Sequence, residues 1–224
     1  GEQKEDFSYM VNFSHTDAKR ETVDNGTSTP LSRDFEQTQL FSYIKTDDQI
    51  FHLQVMKKNT DSLAGMSFDA TPLESEIDYL NVHMDYGIDF GEHWRAQFSY
   101  DWLKTEMNQA DDLFLAWADA LGSNTFYGEY KNSTYTGELT YKDTIGDHRI
   151  TAGLKGRLKK LDSLENKGQD FLFTPFTEEK IATLFFQDQY ALSDNELLTF
   201  GASYNNVNRN GGTSDDSLLQ LRLG

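Results

Sequence analysis

The chain has 224 residues, no cysteine and a formal net charge of −17, which excludes a disulfide framework and thiolate metal sites. The negative charge argues against a nucleic-acid partner, because phosphates would be repelled rather than neutralised. A mean hydropathy of −0.66 and the lack of a long apolar run exclude a transmembrane helix, which needs about 20 apolar residues. They leave room for a membrane barrel, whose lumen face and loops are polar.

Aromatic residues make up 13 % of the chain, against only 3 Pro, a mix that favours strands over helices. The opening "GEQKEDFSYMVNF" has no basic stretch followed by an apolar one, so no signal peptide is read there. It leads into the first predicted strand, Phe7–His15, where Phe7, Tyr9, Val11 and Phe13 oppose Ser8, Met10, Asn12 and Ser14. In the second, Phe35–Lys45, Leu40 and Ile44 compete with Phe41 and Tyr43 for the apolar face. Ile50–Lys57 follows. Ile77–Phe90 places Leu80, Val82, Met84, Tyr86, Ile88 and Phe90 against Asn81, His83, Asp85, Gly87 and Asp89. Trp94–Lys104 places Trp94, Ala96, Phe98, Tyr100 and Trp102 against Arg95, Gln97, Ser99 and Asp101. The remaining strands are Phe126–Lys142, Arg149–Leu158, Ile181–Leu192, Leu197–Val207 and Leu218–Gly224, about ten in all. The final "SLLQLRLG" stops inside an alternating stretch, so both ends read as cut.

The connections alternate in length. Thr46–Gln49, Gly91–His93, Asp143–His148 and Ser193–Glu196 are short, whereas Thr16–Asp34, Lys58–Glu76, Thr105–Thr125, Lys159–Lys180 and Asn208–Ser217 are long and polar. All tight turns therefore fall on one edge of the sheet and all long loops on the other. A soluble sandwich has no general reason to sort its loops this way. A transmembrane barrel does, with short periplasmic turns, long extracellular loops and aromatic girdles near the strand ends. Trp94, Trp102, Tyr141, Tyr190 and Tyr204 fit those girdles, and a wet lumen accommodates Arg95, Asp101, Arg149 and Lys155 in mid-strand. The expected fold class is thus all-β, an antiparallel meander forming part of a transmembrane β-barrel.

The stretch "FFQDQYALSDNELLTFGASYN" resembles the late-barrel hairpin of TonB-dependent outer-membrane receptors through Gln187, Asp188, Asn195, Thr199, Gly201 and Tyr204, although Ser203 stands where the family often has Arg. "GDHRITAGLKGR" and "SLLQLRLG" resemble the hairpin before it and the strand after it, so the specific similarity covers Asp143–Gly224. The resemblance implies a plugged barrel of about 22 strands, in the outer membrane of a Gram-negative bacterium. It further implies a TonB complex acting through a plug not found in this chain, contact with outer-membrane lipid, and a small ligand such as a metal chelate, most often a ferric siderophore. Residues 1–224 are then a single incomplete barrel segment, not an enzyme and without a cofactor. A complete small barrel acting as an omptin-like protease or adhesin, or a soluble carbohydrate-binding β protein, stands as the alternative.

His15, His52, His83, His93 and His148 lack the spacing of a metal motif. His93 and His148 fall at predicted turns and read as solvated. His52 and His83 share the lumen parity of consecutive strands, where members of a polar network are expected before a two-histidine metal site. His83 and Asp85 have the spacing of a base and its orienting carboxylate. With the turn at Gly91–His93 periplasmic they would lie away from the extracellular rim, so no catalytic residue is assigned. The loop Gln109–Asn124 has helical character, with Asp111 as a cap and Gly122 as a stop. Its Phe114 and Trp117, together with Phe171, Phe173 and Phe176 of "FLFTPFT", are the candidate ligand contacts. Asp111, Asp112, Asp215 and Asp216 lack a calcium-loop pattern and read as solvated acids.

Overall fold

The computed structural model describes residues 1–3, 6–19, 34–61, 72–111, 125–167, 177–193, 196–211 and 216–224. They form one antiparallel sheet whose strand order follows the chain: β1 (Glu2–Gln3), β2 (Phe7–Ala18), β3 (Phe35–Thr46), β4 (Gln49–Asp61), β5 (Pro72–Phe90), β6 (Trp94–Asp111), β7 (Thr125–Ile145), β8 (His148–Lys167), β9 (Glu178–Ser193), β10 (Glu196–Arg209) and β11 (Asp216–Leu223). The ten expected strands are β2 to β11, and β1 is a two-residue addition paired to Ser8 and Tyr9.

Cross-strand partners share a face of the pleat, so the register decides whether the alternation of separate strands adds up to one surface. It does. Phe13, Leu40, Val55, Val82 and Trp102 stand in one hydrogen-bonded row. A second row runs Ile88, Ala96, Leu139, Leu154, Leu184, Tyr204 and Leu219. This second row begins close to the tight turn at Gly91 and ends far from the turn after Ser193. Such a stagger is what a barrel of tilted strands requires.

The competition within β3 is settled by pairing: Leu40 and Ile44 join Phe13 and Tyr9, while Phe41 and Tyr43 go to the polar face beside His52. No second layer of described residues covers the apolar face. Phe13 is 68 % exposed, Leu154 50 %, Leu184 60 % and Leu221 70 %. An uncovered apolar surface of this extent is unfavourable in water and favourable in hydrocarbon. Trp94 packs on Tyr141 and Phe90 at the turn-side margin, where an interfacial girdle belongs.

The strands run past their expected ends on the long-loop side. β6 continues to Asp111, β8 to Lys167, and β5 begins at Pro72, since at the first residue of a strand a missing N–H costs little. Above the apolar band both faces are wet, so alternation vanishes while the backbone ladder persists. Asp111 is accordingly the last residue of β6 rather than a helix cap. Residues 112–124, with Phe114 and Trp117, and residues 168–176, with Phe171, Phe173 and Phe176, lie outside the described residues.

The expected turn Asp143–His148 narrows to Gly146 and Asp147, since Ile145 pairs with His148. Gly146 has φ +60°, as the first central residue of a II′ hairpin turn requires. His148 therefore opens β8, and its Nδ1 lies 2.8 Å from Asp188 Oδ2 instead of being freely solvated.

Candidate functional site

The polar face is a wall of side chains carried on alternate positions of rigid strands. Near the tight turns, His83 Nδ1 lies 2.6 Å from Asp101 Oδ1. Gln97 Nε2 donates to Asp85 Oδ1 at 2.9 Å, and His52 Nδ1 lies 4.0 Å from Asp85 Oδ2. Arg95 lies 3.3 Å from Asp89 and packs over Gly87, where an added Cβ would come 2.9 Å from the guanidinium. His83 and Asp85 thus form no dyad: two residues apart on one strand, each takes a partner across the sheet. His52 and His83 likewise go to different carboxylates. No group of three or more His, Cys, Asp or Glu side chains placed to hold a metal exists among the described residues.

On the same face Glu138 stands opposite Gln97; Lys155 Nζ is 3.2 Å from Glu138 Oε2, and Thr140 donates to Glu138 Oε1 at 3.1 Å. Lys159 Nζ lies 3.5 Å from Glu179 Oε1, and Arg209 Nε donates to Glu179 Oε2 at 2.7 Å while also reaching Asp216 at 3.3 Å. Burial pushes the Glu179 carboxyl up, but Arg209 and Lys159 together outweigh it and hold the carboxyl below its ordinary value. Between these pairs, Arg157 keeps its Nε buried without a hydrogen-bond partner among the described residues. The wall is therefore polar, preorganised and largely charge-compensated. It can line a wet passage or seat a polar body through hydrogen bonds and ion pairs.

On the apolar side, beyond the band, Lys104 Nζ lies 2.8 Å from Glu106 and 3.3 Å from Glu129, and Lys131 Nζ lies 2.5 Å from Glu129. Glu129 is only 8 % exposed. The Lys131 ammonium, opposed by burial and assisted by Lys104, holds its carboxyl down to about 2. A depressed carboxyl contributes stability that is present above its unfolded value near 4.5 and lost as pH falls through about 2. Glu129 should therefore stay ionised at pH 3 in a carbon-13 titration of the labelled protein, and Lys131→Gln should move its midpoint upward. A wild-type midpoint near the ordinary carboxylate range would disprove the pairing.

Sequence reasoning placed His52, His83 and Asp85 on the correct face but missed Asp101 as the partner of His83. It also missed the Glu179–Arg209 pair and the Lys104–Glu129–Lys131 cluster. His83–Asp101, Glu179–Arg209 and Lys104–Glu129 are cross-strand contacts whose signal is register, whereas Lys131–Glu129 joins residues two apart on one strand. The five aromatic loop candidates fall outside the described residues.

No protein-family model and no curated protein matches the chain. Among solved structures it is similar to copper transporter OprC, at 10 % sequence identity and a TM-score of 0.56, over 95 % of this chain. It spans about a third of the length of that transporter, 36 %. At this identity the likeness shows the fold: an all-β antiparallel meander, a segment of an outer-membrane β-barrel wall.

Proposed function

We propose that residues 1–224 form part of the barrel of a TonB-dependent outer-membrane receptor, and that the whole protein imports a scarce nutrient captured as a small metal chelate. The observation that carries this reading is the two-faced sheet. A continuous apolar band lies uncovered on one side, and a compensated polar wall lies on the other. The hairpin motif around Gln187, Asp188, Thr199, Gly201 and Tyr204 supports the family assignment through resemblance. The sheet's strand order leaves two open edges, and unpaired backbone is untenable in lipid, so further strands must complete the wall. A plug and its TonB contact complete the gated path.

By resemblance the first cargo to test is a ferric siderophore. The likeness to a copper transporter favours copper as the second. Phe114, Trp117, Phe171, Phe173 and Phe176 are proposed to meet the ligand on the extracellular side. The experiment compares uptake of radiolabelled ferric chelates and of copper by cells with and without the full-length gene, each with TonB intact or deleted. Gene- and TonB-dependent uptake of either cargo supports the reading and names the cargo. Recovery of the full-length product in the soluble fraction overturns it.

A further inference from the structure

The ion pairs of the polar wall leave a remainder, and it lies on one half. On β2 to β6 the described side chains of this face include three cations, Lys45, Lys58 and Arg95, against three acids, Asp85, Asp89 and Asp101. On β7 to β11 the balance is lost. There β8 alone carries Arg149, Lys155, Arg157 and Lys159, and Lys142, Arg209 and Arg222 stand on β7, β10 and β11. The acids facing these seven are three, Glu138, Glu179 and Asp216. This surplus stands in a chain whose net charge is −17.

Lys155, Arg157 and Lys159 hold consecutive positions of the polar face, about 6.6 Å apart along β8. Glu138 takes Lys155, and Glu179 takes Lys159 and Arg209. Arg157, Lys142, Arg149 and Arg222 make no ion pair among the described residues. Like charges at neighbouring positions destabilise a sheet, so such a ladder is unfavourable until an anion joins it.

Three consecutive rows near the tight turns hold no carboxylate on these strands. The first runs Thr144, Arg149, Gln189 and Thr199, and the second Lys142, Thr151, Gln187, Gly201 and Arg222. The third runs Thr140, Gly153, Phe185, Ser203 and Gln220. Between the second and third lies a hollow of about 570 Å³, within the size range of small-ligand sites, lined on this face by Phe185, Gln187, Gly201, Ser203, Gln220 and Arg222. Gly201 keeps it open: an added Cβ would meet nothing nearer than 3.6 Å. Ser203 Oγ donates to Gln220 Oε1 at 3.3 Å, which leaves the Gln220 amide nitrogen as a donor. The hollow thus offers a guanidinium and amide N–H groups, and no acid lines it.

We propose that this hollow binds a small oxyanion, a carboxylate- or phosphate-bearing molecule, at Arg222, drawn there along the cation ladder of β8. A guanidinium holds either group through paired, charge-assisted hydrogen bonds. A passage lined by one sign of charge between low-dielectric walls concentrates ions of the other sign. The site lies toward the tight turns, on the side of the wall away from the long loops and their aromatic residues. The proposal rests on the barrel reading, which makes this face wet and reachable. It adds to that reading the class of chelate that this half of the wall favours, one presenting carboxylate or phosphate groups.

The full-length protein, extracted from outer membranes into detergent, is dialysed to equilibrium against radiolabelled citrate and, separately, radiolabelled pyrophosphate at low salt. At least one should bind saturably, and the tighter of the two names the source of the oxyanion. Arg222→Gln should weaken that probe by about tenfold or more, as loss of hydrogen bonds to a charged group does. Arg222→Lys keeps the charge but not the fork and should weaken it by about threefold; it decides the matter if Arg222→Gln does not fold. Lys57→Gln with Lys160→Gln, on the opposite face, should leave binding unchanged. Failure of the unaltered protein to bind either probe overturns the inference, and is the result expected if carboxylates of a plug fill the hollow. Full retention of binding by the Arg222 variants overturns it as well. Recovery of the full-length product in the soluble fraction overturns the barrel reading instead.

Discussion

Replacing Met84 with Arg is expected to destabilise the folded barrel by about 2–4 kcal/mol, the cost of a guanidinium near the middle of the hydrocarbon layer. Met84 stands mid-strand on the apolar parity, opposite Leu53 on one side and Tyr100 on the other. Neither neighbour can offer a guanidinium a counter-charge. The same change at Ser99, which faces Asp85 on the polar wall, should stay within about 0.5 kcal/mol, as surface substitutions usually do. Leu80→Arg, in the row of Lys57 and Lys104, should cost about 1 kcal/mol or less, because the penalty fades toward the interface. Denaturant titrations of the three full-length variants refolded in vesicles give the ranking. If Met84→Arg proved no worse than Ser99→Arg, the assignment of the apolar face to lipid would fail.

The second large effect is steric. A Cβ at Gly153 would sit 2.5 Å from the carbonyl oxygen of Leu139 and 2.5 Å from Cζ of Phe185. The ring can turn away, but the carbonyl belongs to the strand ladder and cannot move without distorting it. Gly153→Ala should therefore destabilise by about 1–3 kcal/mol, the range for forced overpacking. Adding Phe185→Ala should restore only part of the loss, since the backbone contact remains. Gly137 and Gly156 pair with each other on the apolar face and have nothing within 4 Å of an added Cβ. Alanine at either should be neutral or stabilising by about 0.5–1 kcal/mol, through the reduced freedom of the unfolded chain. Thermal unfolding of the four variants separates close approach from simple glycine flexibility. A neutral Gly153→Ala would contradict the packing of Phe185 over that strand.

Both effects depend on a division already present in the sequence. In Ile77–Phe90 and Trp94–Lys104 the alternation alone assigned Met84 to one face and Ser99 to the other, because a strand's side chains point to opposite faces with period two and the bilayer demands strict sorting. The tight turns were legible for the same reason, since each interrupts the period within a few residues. Those features are local and need no partner strand.

What the sequence could not supply is everything set between strands. In β3 two apolar pairs competed, and only pairing with β2 and β4 placed Leu40 and Ile44 outward and Phe41 and Tyr43 inward. His83 belonged to the wall by parity, but its bond to Asp101 depends on the β5–β6 register. The extension of β6 to Asp111 and of β8 to Lys167 was invisible because above the lipid both faces are polar and alternation carries no signal. The row of Lys57, Leu80, Lys104 and Lys131 is the same case: its members are scattered from position 57 to 131 along the chain and meet only because pairing carries them to one level of the sheet. Lipid sorts residues one strand at a time, so that sorting is written locally. Rows of charge are assembled by hydrogen-bond register, which is a property of the folded sheet.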